Sequence, residues 1–239
     1  MRDAGSSAPL RAELHDAMEG WGCPLCRLAA RAEQAYVASL SYERVLDPAT
    51  RDALKASRGL CPAHTRDWQH LQGSALGVAI VYRVTLLDLL RETEPGEATG
   101  GLLQRKRKEA QALAERLEAD GPCPACEVSR GAVARFGEVL LRELPSEDAE
   151  ARLAACGGLC LPHLRTVLLL PGAGRAQEAL IGVQRSVWLR LMAELEEFIR
   201  KNDYRFVEER MTEAEATAWT RTLDAIVGLE RASDSWSAK

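Results

Sequence analysis

Six of the seven cysteines in this chain, and two of its four histidines, fall into short tetrapeptides in which two metal-binding side chains stand three residues apart. Cys23 and Cys26 lie in CPLC, Cys61 and His64 in CPAH, Cys123 and Cys126 in CPAC, and Cys160 and His163 in CLPH. Residues three apart on a helix are neighbours on one face, so each tetrapeptide presents a pair of donor atoms. Proline is tolerated in the first turn of a helix, where backbone N–H groups have no intrahelical partner, so the leading cysteine falls at the N-cap and the second donor one turn on. The positive end of the helix dipole favours thiolate over thiol there. Two such helix tips facing each other supply three thiolates and one imidazole, the number and type of donors that tetrahedral zinc takes.

The pattern occurs twice. Cys123 and Cys126 follow Cys23 and Cys26 by 100 residues, and Cys160 and His163 follow Cys61 and His64 by 99. Taken in chain order, the donors predict one site from Cys23, Cys26, Cys61 and His64 and a second from Cys123, Cys126, Cys160 and His163, with two zinc ions per chain. An iron–sulfur cluster on the same donors is the alternative, since spacing alone does not separate the two. A thioredoxin-type redox pair would need a strand–helix–strand pattern that is absent and would leave the histidines unexplained. An axial haem thiolate would leave the second donor of each tetrapeptide unexplained. Cys156 aligns with Ser57 and is read as a small spare residue.

Zinc on three thiolates carries a charge of about −1, so a cation is expected nearby. Arg66 and Arg165 each follow a site histidine by two residues and are the candidates, against a reading as plain surface arginines. Glu43 and Glu143 occupy equivalent positions in the two copies, as an acid–base pair or, more simply, as two separate salt bridges. Arg200, Lys201, Asp203, Tyr204 and Arg205 crowd the end of a long helical stripe; they read as an anion or partner site, or as cations drawn to a helix C-terminus. His15 and His70 have no counterpart and read as surface or capping residues. No GxxxxGK, GxSxG, HExxH or di-iron ExxH motif occurs, so no catalytic residue is assigned. A four-donor zinc has no open position and acts as a staple, which points to a binding or scaffolding module whose protein partner meets a groove between the copies.

The elements needed to hold these donors are legible as helices. Leu25, Leu28, Ala32, Tyr36 and Leu40 recur at steps of three and four, and Ala125, Val128, Ala132, Phe136 and Leu140 repeat them. Asp47 and Pro48 open a second, shorter helix that Gly59 stops; Pro145 and the pair Gly157 and Gly158 punctuate the other copy. LGVAIVYRVTLLDLL, residues 76–90, is short and interrupted by Arg83, so it predicts a buried helix and not a membrane span. A second stripe runs through Leu180, Val183, Val187, Leu191, Leu195 and Phe198. Thr212 and Glu215 form a capping box, and Trp219, Leu223, Ile226 and Val227 share one face of a closing helix expected to pack across both halves. No alternating strand is visible. The predicted fold is all-α: two tandem helical repeats at 1–93 and 102–210, each with a Cys3His site at helix N-termini, a linker at 94–101, and a C-terminal packing helix and tail at 211–239 that frays from Ser233.

Length and composition agree. The 239 residues, 46% apolar and 28% charged, suffice for one large core or two small ones. A net charge of −4 and the lack of a basic face argue against nucleic acid as a partner. The one basic run, Arg105 to Lys108, reads as the solvated face of a helix. The first twenty residues contain no apolar core of signal-peptide length, so a cytosolic location with reduced thiols is expected, and no membrane.

The two CPxC and GLCxxH sets, together with FIRKNDYRF and the tryptophan-containing helix after it, resemble an uncharacterised bacterial family, a domain of unknown function defined by these paired motifs. The resemblance runs from about residue 15 to 230 and implies the same architecture and the same eight donors. Members of that family tend to carry histidine where this chain has Asn202, so it implies no role for that position.

Overall fold

Every regular element among the described residues is helical. The computed structural model describes residues 7–41, 44, 47–94, 103–144, 146–172, 174–206 and 208–229, with backbone alone for 7 and 103–109. Glu43, Pro145, the core of the expected linker and the tail from Ser233 lie outside them, as do the side chains of the basic run. Among the described residues eleven α-helices follow in order: α1 (Ser7–Ala17), α2 (Pro24–Leu40), α3 (Pro48–Ala56), α4 (Pro62–His70), α5 (Ser74–Glu92), α6 (Leu103–Arg116), α7 (Pro124–Glu143), α8 (Glu147–Ala155), α9 (Leu161–Leu168), α10 (Gly174–Lys201) and α11 (Glu213–Val227).

The apolar stripes become the core. Leu25, Leu28, Tyr36 and Leu40 on α2 are buried, as are Ala125, Ala132, Phe136 and Leu140 on α7 and Leu180, Val183, Val187 and Leu191 on α10. Caps set the helix starts as the sequence predicts. The Asp47 carboxylate accepts from Thr50 N–H at 2.8 Å ahead of Pro48, and Thr212 and Glu215 close a reciprocal box at α11.

The same turn leads into both CxxH segments. After α3, Arg58 N–H bonds Lys55 O and Gly59 N–H bonds Leu54 O; after α8, Gly157 N–H bonds Ala154 O and Gly158 N–H bonds Leu153 O. Each is a Schellman closure, which needs a left-handed residue directly after the cap. Gly157 provides it at φ +92°, whereas the first copy uses Arg58 at φ +52°. The turn then buries Leu60 or Leu159 and sets Cys61 or Cys160 at the N-cap of the next helix.

Two expectations about helix faces are corrected. The 76–90 stretch is not buried all round: α5 buries Ser74, Gly77, Val81 and Thr85 while Leu76, Leu86 and Leu90 face solvent. On α11 the face carrying Trp219, Leu223, Ile226 and Val227 is the exposed one, and the helix packs through Ala218 and Ala225. Small residues let its backbone approach α10 and α9 closely, its principal neighbours.

The chain forms two compact units that cut across the sequence copies. One comprises Met1–Arg31 and Ser129–Asp234, and the other centres on Ala32–Val128. The divisions fall inside α2 and α7. In the second unit Trp68 is fully buried among Tyr36, Val37, Leu40, Leu54 and Val81, its indole N–H donating to Ser41 Oγ at 3.1 Å. In the first, Val187, Leu191 and Ala225 form a core that Trp21 borders, and the guanidinium groups of Arg190 and Arg221 lie 5.5 and 4.8 Å from the Trp21 ring.

Candidate metal centres

Helices α2, α4, α7 and α9 begin immediately after Cys23, Cys61, Cys123 and Cys160, so all four tetrapeptides sit on helix tips as their prolines require. The eight donors then gather into two groups, but not in chain order. Cys23 and Cys26 meet Cys160 and His163, and Cys123 and Cys126 meet Cys61 and His64. The expected within-copy pairing is therefore wrong: each CPxC finds its CxxH in the other copy. Spacing could not reveal this, because both pairings join identical tetrapeptides. Each tetrad lies wholly within one compact unit.

The geometry of both groups suits a single ion. In the first tetrad, His163 Nδ1 lies 3.4 Å from Cys23 Sγ, 3.4 Å from Cys26 Sγ and 3.2 Å from Cys160 Sγ, and the sulfurs of Cys26 and Cys160 are 3.7 Å apart. In the second, His64 Nδ1 lies 3.2, 3.6 and 3.5 Å from the sulfurs of Cys61, Cys123 and Cys126, and Cys61 Sγ is 3.8 Å from Cys126 Sγ. With Zn–S of about 2.3 Å and Zn–N of about 2.0 Å, the edges of a tetrahedron are about 3.8 Å between sulfurs and about 3.5 Å from sulfur to nitrogen. The donors fit that shape.

Electrostatics within the second tetrad follows from crowding. Burial works against the imidazolium of His64, but the Cys123 thiolate and the Glu33 carboxylate outweigh it and push the pKa up to about 10. Burial likewise opposes the Cys123 thiolate; the His64 hydrogen bond and the backbone N–H groups of Cys61, Cys126 and Ala125 bring it down to about 6. Burial, and then the Cys123 charge, push Cys126 up to about 12. In the first tetrad His163 rises to about 12, because its three cysteines outweigh burial. At pH 7 the metal-free protein therefore carries protons on His64, Cys126 and His163 that a metal must displace. Loading both sites at pH 7 is expected to release at least three protons per chain, read by calorimetry in buffers of different ionisation enthalpy.

Around the first tetrad the structure supplies two features that the sequence reading did not name. Arg27 donates to the carbonyls of Ala17 at 2.7 Å, Gly22 at 3.3 Å, Gly20 at 3.4 Å and Trp21, fixing a cation on the loop that delivers Cys23. Gly228, the C-cap of α11 at φ +103°, brings its backbone so close that a Cβ there would stand 3.4 Å from Cys26 Sγ and 3.5 Å from Cys160 Sγ. Around the second, Glu33 Oε2 lies 3.3 Å from His64 Nε2. Glu33 was detectable in principle, as an acid on the buried face of α2 between Ala29 and Tyr36.

The remaining candidates take structural places. Arg66 and Arg165 are exposed, and among the described residues neither side chain bonds a donor. Glu143 is buried and joins Arg11 and His15, with His15 Nε2 at 2.9 Å, so His15 is a hydrogen-bond partner of Glu143 and not a plain surface residue. His70 donates from Nδ1 to Arg66 O at 2.7 Å, a helix-end contact. Arg200 pairs with Glu197 and Glu209 and lies 4.7 Å from the Phe206 ring; Lys201 pairs with Glu215 at 2.7 Å and Arg205 with Asp203 at 2.6 Å. These three cations are thus already neutralised, while Tyr204 is exposed. Cys156 stands apart from both tetrads, its thiol bonded to Leu153 O at 3.3 Å and pushed up to about 11 by burial.

An all-helical chain with two interleaved Cys3His tetrads on helix tips is the class of protein that fold and site define. No helix among the described residues is long and apolar enough to cross a membrane. The chain belongs to the Family of unknown function (DUF6062), whose model matches residues 9–233. It is also similar to the "Uncharacterized 23.9 kDa protein in xynA 3'region" of Caldicellulosiruptor sp. (strain Rt8B.4), 27% identical over 213 residues that cover 87% of this chain and 96% of the relative. No solved structure matches it.

Proposed function

We propose that this is a cytosolic zinc-binding helical module in which two closed Cys3His centres staple the fold and the outer helix faces receive a protein partner. All four donors of each tetrad lie within 4.8 Å of one another, and this carries the choice of a single ion over a cluster. Such donors can share one tetrahedral metal, whereas an iron–sulfur cluster spreads its ligands over two or more irons, so that donors on different irons stand farther apart. Three thiolates and an imidazole are a common structural zinc set, and four protein donors leave no position for water or substrate. The binding role draws support from α10 and α11. Ile181, Trp188, Met192 and Ile199 form one exposed row on α10, and Trp219, Leu223 and Ile226 form another on α11. Exposed apolar rows of this extent are a feature of interaction surfaces.

Elemental analysis of anaerobically purified protein tests the metal directly. The expected result is about two zinc per chain and a colourless solution. Iron with acid-labile sulfide, and a brown protein absorbing near roughly 400 nm, would replace this reading with a redox or sensing one.

A further inference from the structure

The two centres share a donor set, but their histidines are held differently. His64 is fully buried, and its Nε2 is enclosed with the Glu33 carboxylate 3.3 Å away. The residue 100 positions on, where the second copy would carry the same acid, is Val133. His163 is only partly buried, and no carboxylate among the described residues lies within ion-pair distance of its ring; the ring's contacts are the three sulfurs at Nδ1.

We propose that Glu33 is a positioning residue that makes the centre formed by Cys61, His64, Cys123 and Cys126 hold its metal more tightly and release it more slowly than it would unaided, giving the chain two inequivalent zinc sites. This rests on the zinc reading above. Nδ1 binds a metal only through its free lone pair, which requires the ring proton on Nε2. A buried carboxylate at ion-pair distance from Nε2 stabilises that tautomer and makes the imidazole a stronger donor. No such group faces His163, so its ring orientation rests on packing and the metal itself. Partners of this kind are typically worth tenfold to a hundredfold in metal affinity.

The test uses full-length protein loaded with two zinc ions and mixed with excess chromogenic chelator, with release followed in time. Wild type should show two phases of one ion each. Glu33→Gln, which keeps shape and an acceptor but removes the charge, should speed one phase, and Glu33→Val, which copies Val133, should speed the same phase by about tenfold to a hundredfold. The other phase should stay unchanged. With cadmium-113 in place of zinc, one of the two resonances should shift in both variants, a signature of altered donation from His64 that loss of packing would not confine to one site. Unaltered phases, equal acceleration of both, or no cadmium shift would each overturn the assignment of Glu33. Protein that holds no zinc at all would overturn the zinc reading instead, so the two failures are distinguishable.

Discussion

Replacing Cys23 and Cys160 together by serine is expected to leave about one zinc per chain, whereas replacing Cys23 and Cys61 together removes both. The first pair belongs to one tetrad and the second pair to two. Under a chain-order grouping the outcomes are reversed, so two double variants and an elemental analysis decide between the arrangements. Each single variant should already lose one ion, because a serine hydroxyl does not replace a thiolate on zinc. Retention of one ion in the Cys23 and Cys61 variant would refute the interleaved sites.

Stripping both metals is expected to lower the melting temperature by roughly 20 °C or more. Structural zinc contributes about 10 kcal/mol to folding in small domains, which is comparable to the whole stability of a typical domain, and in a chain this long 1 kcal/mol moves the midpoint by about 2–4 °C. The donors explain the size of the effect. Without metal, a protonated His64 and the sulfurs of Cys61, Cys123 and Cys126 are packed within 4.8 Å of one another, and α2, α4, α7 and α9 lose the ions that tie their tips. Differential scanning calorimetry before and after verified chelation measures the change. A shift of only a few degrees would mean that packing around Trp68 and the α10 stripe holds the units alone.

The helices and the eight donors were legible in the sequence because each is a local matter. Proline after cysteine sets a helix start, periodic apolar residues set its face, and Leu25 or Phe136 need no knowledge of distant partners to be read as core. The interleaving was not legible, because CPAH offers CPLC and CPAC the same donors and only tertiary packing chooses. The outward face of α11 was misread for a related reason. Trp219 and Leu223 outrank Ala218 and Ala225 on any hydrophobicity scale, yet close approach to α10 favours the smaller pair. Glu33 escaped notice because a repeat-based reading looks for what recurs, and Val133 stands in its place.

The interleaved sites also bear on biosynthesis. Cys61 must wait for Cys126, 65 residues later, and Cys26 for Cys160, 134 residues later, with the shorter closure nested inside the longer. A growing polypeptide leaving the ribosome thus displays Cys23, Cys26, Cys61 and His64 as a complete but mismatched quartet before any correct partner has been translated. Early metal capture would lock that mismatch in place, so metal supplied after residue 163 has emerged is expected to give more correctly loaded protein than metal supplied during translation.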